Sequence, residues 1–338
     1  MTRRAYVEAL SRWRSEAAEA REAEAREIYG REQARLASGG CRLASLSDDE
    51  VRVVAHELCD PLRPSLAVHL SSTAKGLRAA MQPTLAELQQ QRLAAEALAA
   101  LWDKGLAWLR AEDELWFGKE VSASLTLGHW GTLGNLVACR SLSRLVQLHI
   151  CGADNAVEGT ALLAEGFRRG GLPSLEVLNF DDAMVGPVNL ATCLTTSKLP
   201  ALKTLHLEEC RTSMGDEGLG ALAPALRKLS RLQHLYLADN LIGDRGMALL
   251  LAEPMEGVLP ILSFLRLSDN MLTNACLPHL ELILCGGALP AITKIDLRNN
   301  NMVVAQFPKH LYLAGTEPRL RISASNISAS LTRVIFYF

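Results

Sequence analysis

Residues 232–270 read LQHLYLADNLIGDRGMALLLAEPMEGVLPILSFLRLSDN. The stretch opens with Leu232-x-x-Leu235-x-Leu237-x-x-Asn240, and the same phrase returns as Leu262-x-x-Leu265-x-Leu267-x-x-Asn270. Leu235 and Leu237 alternate, so in an extended chain both point to one side. Asn240 is a short amide able to bond the backbone of a turn, which suits a corner. Leu241-Ile242-Gly243-Asp244 then leads into a helix with its Asp near the positive end. Met247 and Leu250 or Leu251 supply that helix with an inward face. A unit of strand, corner and returning helix cannot bury its apolar side alone, so copies of it must stack.

The phrase recurs on both sides. Upstream stand Leu145-x-x-Leu148-x-Ile150, Leu175-x-x-Leu178-x-Phe180 and Leu202-x-x-Leu205-x-Leu207-x-x-Cys210; downstream stands Ile292-x-x-Ile295-x-Leu297-x-x-Asn300. First positions 145, 175, 202, 232, 262 and 292 differ by 30, 27, 30, 30 and 30. Four units share an introduction: Leu-Pro-Ser-Leu175, Leu-Pro-Ala-Leu202, Leu-Pro-Ile-Leu262 and Leu-Pro-Ala-Ile292. The proline ends the preceding helix and favours an extended residue before it.

This is the signature of leucine-rich repeats. The long period and the phrases Gly215-Asp216-Glu217-Gly218 and Gly243-Asp244-Arg245-Gly246 resemble the ribonuclease-inhibitor type, over roughly residues 120 to 330. The resemblance implies an α/β fold: a horseshoe-shaped solenoid with parallel inner strands and outer helices. Here it is preceded by an all-α N-terminal region. Pro224, Pro254 and Pro278 depart from clean outer helices and predict kinked or short ones.

Composition narrows the class. The chain has 338 residues, enough for one solenoid and a smaller domain. Aromatic residues make up 5%, which fits a Leu- and Ala-rich array better than a base-stacking platform. A net charge of -2 argues against a general phosphate-backbone binder, so no nucleic-acid partner is expected. No leader-like segment opens the sequence and no run of about 20 apolar residues appears, so no membrane association is expected. The chain reads as cytoplasmic, with a nuclear location left open. Its eight cysteines form no C-x-x-C pair and read as reduced, mostly buried thiols. Asn326-Ile327-Ser328 matches a glycosylation acceptor that stays idle in that compartment.

The N-terminal region divides into three. Residues 1–40 form a charged Ala/Glu/Arg-rich helix, with Glu8–Arg12, Glu22–Arg26 and Glu27–Arg31 in the favoured i,i+4 order. Residues 43–82 contain a capping box at Ser47-x-x-Glu50 and a stop at Asp60-Pro61. Leu46-Ser47-Asp48-Asp49-Glu50, Leu58, Asp60-Pro61, Leu66 and Lys75-x-Leu77 resemble an F-box, with Ser47 where that family carries Pro and without its late Trp. The resemblance implies docking of a Skp-type adaptor through Leu46, Leu58, Pro61, Leu66 and Leu77. The alternative is a helical cap on the solenoid. Residues 83–118 are expected as one long capping helix, with Pro83 in its first turn and Trp102, Trp108 and Trp116 packed on the first repeat.

The repeat domain then spans 120–338. Leu125-x-Leu127-x-x-Trp130 is expected as a degenerate first strand, and Val334–Phe338 as a capping strand or the stump of further repeats.

No phosphate-cradling loop, metalloprotease helix, nucleophile elbow or paired-carboxylate motif is present. The chain reads as a non-enzyme with no cofactor. His206, His234, Glu208 and Glu209 are the nearest approach to a metal set, and without a spacing constraint they read as ordinary surface residues. Function is expected on the concave face, where side chains between the inward leucines converge on a protein partner. The candidates are His206, Glu208, His234, Tyr236, Asp239, Phe264, Arg266, Asp269, Lys294, Asp296 and Arg298. Asp181, Asp182, Glu208, Glu209, Asp239 and Asp269 read as an acidic sector, and Arg266, Lys294, Arg298, Arg319 and Arg321 as a basic one. Three readings follow: a protein-binding scaffold module, an F-box-like substrate adaptor of a ubiquitin ligase, and a small-GTPase regulator.

Overall fold

The computed structural model describes residues 60–61, 75–195, 198–210, 214–251, 259–280, 289–303 and 335–337, by backbone alone at 75–81 and 335–337. The chain divides into two compact units, one of residues 1–59 and 65–86, the other of 60–64 and 87–338. Of the first, only the start of helix α1 (Lys75–Ala100) lies within the described residues. Leu46, Leu58 and Leu66, and with them most of the F-box-like stretch, lie outside them.

The second unit holds one parallel sheet of eight strands in sequence order. The strands are β1 (Glu114–Phe117), β2 (Gln147–Ile150), β3 (Val177–Asn179), β4 (Thr204–His206), β5 (His234–Tyr236), β6 (Phe264–Arg266), β7 (Lys294–Asp296) and β8 (Ile335–Tyr337). Strands β2 to β7 begin two residues after each predicted first position. Leu115, Leu148, Leu178, Leu205, Leu235, Leu265 and Ile295 pair across successive strands as one row, each at most 1% exposed. The next inward row, Phe117, Ile150, Phe180, Leu207, Leu237, Leu267 and Leu297, is buried too. These stacked rows are the core: each repeat covers the apolar face its neighbour cannot cover itself.

The corners explain why the strands can all turn the same way. Gly152, Asp182, Glu209, Asp239, Asp269 and Asn299 occupy equivalent positions, and all have positive φ, between 54° and 69°. Glycine, Asp and Asn tolerate that conformation; glutamate is the misfit in the series. The backbone N–H of the first five donates to the carbonyl oxygen of Asp181, Glu208, Ala238, Ser268 and Arg298 respectively, at 2.8–3.1 Å. One residue on lies the predicted amide row. Asn270 Oδ1 accepts from the N–H of Asn240 (3.0 Å) and Ile242 (2.9 Å), and its Nδ2 donates to Leu237 O at 2.9 Å. Asn300 accepts from Leu272 N–H (2.9 Å) and donates to Leu267 O. Cys210 holds the same place with a thiol, its Sγ 3.3 Å from Phe180 O.

Among the described residues the outer layer comprises α4 (Leu127–Ala138), α5 (Ala156–Arg169), α6 (Pro187–Cys193), α7 (Gly215–Leu226), α8 (Asp244–Leu250) and a 3-10 turn at Asn274–Cys276 that leads into helical residues 277–280. The proline expectation is not met as shortening: α7 runs through Pro224 to Leu226, Pro278 lies in the helical residues 277–280 that follow the 3-10 turn, and Pro254 lies outside the described residues. The Gly-Asp-x-Gly phrase has a physical role. Asp216 Oδ1 accepts from Gly243 N–H (2.7 Å) and Gly246 N–H (2.8 Å), so the first turn of one helix caps the start of the next. A side chain at Gly246 would place Cβ 2.5 Å from that oxygen.

Three further expectations fail. Residues 83–118 are not one helix. The chain leaves α1 at Ala100, turns through Asp103 at φ 54°, forms α2 (Leu106–Ala111), and enters strand β1. The buried residues Leu115 and Phe117 alternate with exposed Glu114 and Trp116, a two-residue period overlooked beneath the spacing of the tryptophans. Pro83 lies inside α1 and not in its first turn. Leu125–Trp130 is no strand: a reciprocal capping box between Thr126 and His129 starts α4 there, after the short helix α3 (Lys119–Ser122). Leu133, Leu136 and Val137 continue its helical period into the core, while Leu127 is 47% exposed.

Candidate functional site

The strand residues that alternate with the buried leucines form two rows across the other face of the sheet. One row runs Glu114, Gln147, Val177, Thr204, His234, Phe264, Lys294, and the other Trp116, His149, Asn179, His206, Tyr236, Arg266, Asp296. A third, just past the strands, runs Cys151, Asp181, Glu208, Ala238, Ser268, Arg298. Neighbouring strands stand about 4.8 Å apart, so side chains in one row meet face to face.

The aromatic candidates do meet. The His206 and Tyr236 rings stack at 4.1 Å with 5° between planes. Phe264 turns its edge to Tyr236 at 5.3 Å, and Lys294 Nζ lies 4.5 Å over the Phe264 ring. All four are half-buried. His234, on the outer row, has Nδ1 3.4 Å from Thr204 Oγ1. This set gives a rigid aromatic patch four strands wide, cation at one end.

The expected acidic and basic sectors meet at Arg266, while Arg319 and Arg321 lie outside the described residues. Arg266 Nη1 reaches two strands across to Glu208 Oε1 (3.0 Å), while its Nε lies 3.7 Å from Asp296 Oδ2. Ala238, the small residue between Glu208 and Ser268 in the third row, is covered. Arg298 returns to the same carboxylate with two bonds, 2.7 and 2.9 Å. The result is an alternating chain Glu208–Arg266–Asp296–Arg298 in which Asp296 is 2% exposed. Burial alone raises the Asp296 pKa, but the bonds and charge of Arg298, with Arg266 behind, outweigh it and hold the carboxyl below its ordinary value. Glu208 is shifted the other way, upward, because its burial outweighs the charge of Arg266. Asp239 and Asp269 are the left-handed corner residues described above, so a backbone requirement accounts for their side chains.

Burial lowers the pKa of the three sheet-face histidines, His149, His206 and His234. Burial, reinforced by His149, His234 and Arg266, pushes the His206 pKa down to about 4. Its Nδ1 lies 3.7 Å from Asp181 Oδ2, a polar contact and not an ion pair above that pH. Asp181 is raised by burial even though it accepts from Glu208 N–H at 2.8 Å. Among the described residues no group of three or more His, Cys, Asp or Glu side chains is placed to hold a metal ion. Among them, too, no helix is long and apolar enough to cross a membrane.

Of the adaptor-docking set, Pro61 is buried beside Asp60, whose carboxylate accepts from Ser141 Oγ at 2.5 Å. Leu77 lies on α1, described there by backbone only. Two residues of the sheet face escaped the sequence reading. Glu114 and Trp116 head the two rows, and the available signal was Leu115-x-Phe117, 33 residues before Leu148-x-Ile150.

No family model matches the chain, and no curated protein does. Solved structures similar to it include human 5T4 (trophoblast glycoprotein), at 19% identity and a TM-score of 0.31 over 56% of this chain and 82% of that one. TLR13, solved as a complex with ssRNA13, shows 15% identity and 0.26 over 48% and 30%. An internalin of Listeria monocytogenes shows 14% and 0.18 over 63% and 90%. Likenesses at this level carry no argument. The chain's own repeat, its eight-stranded parallel register and its stacked leucine rows define a leucine-rich-repeat solenoid.

Proposed function

We propose that the chain is a non-enzymatic binding module of the ribonuclease-inhibitor type of repeat, presenting the exposed sheet face to a protein. The observation that carries this is the aromatic run His206–Tyr236–Phe264. Rings fixed on strands bring large contact area with little entropy to lose, and such groups in a charged surround are the usual anchors of interfaces. The ion chain around Arg266 holds its geometry and leaves fewer free charges to be desolvated on binding. The five described cysteines form no disulfide, which suits a reducing, cytoplasmic compartment.

The test is affinity capture of partners by the full chain and by substituted chains. Tyr236→Ala and Phe264→Ala should each release a partner that Val188→Ala, on the outer helix α6 and 70% exposed, retains. Retention by the sheet variants with loss from the helix variant overturns the reading. The F-box-like adaptor is a narrower form of the same proposal, tested with a purified Skp-type adaptor and residues 43–82. Pro61 being buried favours the sheet face over that stretch. Regulation of a small GTPase is the other narrower form, and accelerated nucleotide hydrolysis by a Ran-type GTPase would support it.

A further inference from the structure

Trp116 is the large aromatic side chain on this face that folding explains least. It stands on β1, at the head of the row that continues into His149, Asn179, His206 and Tyr236. Half of it, 51%, is open to solvent. Yet it is firmly placed. Its ring packs on His149 with centroids 4.4 Å apart and 32° between planes. Its indole Nε1 sits over Gly118, where a Cβ would come within 2.9 Å. Its backbone carbonyl accepts from Nε1 of the half-buried Trp102 at 3.0 Å, and the Trp102 ring in turn packs edge-on against buried Phe117. A ring held on one side and open on the other has lost its conformational freedom without burying its surface.

Carboxylates flank it along the face. Glu114 precedes Trp116 by two residues on the same strand face, about 7 Å away along the chain, and is exposed, as is Asp113. Asp181 lies on the far side of His149, close enough, as Glu114 is, to act on that ring electrostatically. Burial lowers the His149 pKa, so the imidazole between them adds no positive charge at neutral pH. Lys119, the basic residue that follows, is held by Asp182 at 2.6 Å. His149 Nδ1 is itself buried with no hydrogen-bond partner. An open indole face attracts a cation through its quadrupole, and flanking carboxylates strengthen that attraction.

We propose that Trp116, with Glu114 beside it, is a subsite for an arginine or lysine side chain of a protein partner lying along the sheet face. This deepens the proposed binding function and rests on it. The far end of the face already carries this arrangement within the chain, Lys294 over Phe264, so the partner would supply at β1 the cation that the chain supplies at β7.

The experiment is selection of displayed peptides of random sequence against the full chain, followed by direct binding of the selected peptides. The measured proteins are wild type, Trp116→Ala, Trp116→Phe, Glu114→Gln and Tyr236→Ala, each shown by circular dichroism to melt like wild type. The proposal expects selected peptides enriched in Arg or Lys. It expects Trp116→Ala to weaken them roughly tenfold or more, with Trp116→Phe in between. Glu114→Gln should weaken binding and flatten its salt dependence, and neutralising the selected cation should abolish the effect of Trp116→Ala. Binders that need Tyr236 but are indifferent to Trp116 overturn this subsite and leave the binding face standing. Binders indifferent to both, or no binders at all, count against both.

Discussion

Replacing Asn270 by leucine is the most direct test of the corner row. The two side chains have the same number and branching of heavy atoms, so the change removes hydrogen bonds while keeping the side chain's outline. Asn270 accepts from the N–H of Asn240 and Ile242, both at 0% exposure, and donates to the carbonyls of Leu237, Leu267 and Ser268. A buried polar group left without a partner costs about 1–3 kcal/mol. Two such N–H groups, partly offset by the gain from burying an apolar side chain, give a net loss of about 2–4 kcal/mol. For a body of this size that is a fall in Tm of roughly 5–15 °C. Asn240 provides the internal comparison. It is buried too, but its Nδ2 donates to Leu207 O and its Oδ1 has no partner, so Asn240→Leu should cost less, about 1–2 kcal/mol. Denaturant unfolding of the two variants and of Met271→Ala, whose side chain is 52% exposed, measures the order. Because repeat arrays need not unfold in one step, amide exchange at residues 240 and 242 supplies a local reading. Equal losses for Asn270→Leu and Met271→Ala, or unchanged exchange at those two amides, would refute the reasoning.

Other outcomes follow from the same geometry. Gly246→Ala should destabilise by about 1–3 kcal/mol, since its Cβ would press on the Asp216 oxygen that caps α8, and Asp216→Ala should restore part of the loss in the double variant. Glu209→Asn should stabilise, by about 0.5–1 kcal/mol, because it puts a left-handed-tolerant residue at φ 59°; a lower Tm would refute this. His206 has a folded pKa of about 4 against an ordinary 6.5, so the unfolded chain takes up its proton first as pH falls. Its contribution is present above pH 6.5 and is lost on descent through 4. Unfolding free energies of His206→Gln should therefore fall less steeply than those of wild type between those values.

The repeat was legible because it is written several times. Leucines at two-residue spacing recur in successive units about 30 residues apart, with a proline before four of the units and an amide eight residues after the first position in three, and every copy constrains the others. The ends lack that redundancy. At β1 the pattern shrinks to Leu115-x-Phe117 between tryptophans that also fit a helical stripe, and only pairing with Leu148 and Ile150 decides between the periods. The Leu125–Leu127 alternation misleads for the opposite reason: a capping box, not a two-residue period, governs Thr126 and His129. On the sheet face the rows themselves were legible, since register follows from the repeat. The partners of each charge were not, because Arg266 finds Glu208 at a distance of 58 residues through side-chain reach that no spacing encodes.

That distinction bears on which face residues are free to serve a partner. Asp182, Asp239 and Asp269 are polar because the corner needs a residue that accepts positive φ, and Glu208, Arg266, Asp296 and Arg298 largely satisfy one another. Their presence is explained by folding, and their charges are already engaged or set at the rim. The rings are different. Trp116 is half open, and His206, Tyr236 and Phe264 spend much of their area on each other while keeping the rest toward solvent. A solenoid needs no aromatic row on the side away from its core; valine or threonine, as at Val177 and Thr204, serves a strand as well. Exposed aromatic surface that the fold does not require, on strands hydrogen-bonded to both neighbours or, for β1, to β2, is where binding energy is to be sought. The neighbouring charges then act chiefly on the rate of encounter and on orientation.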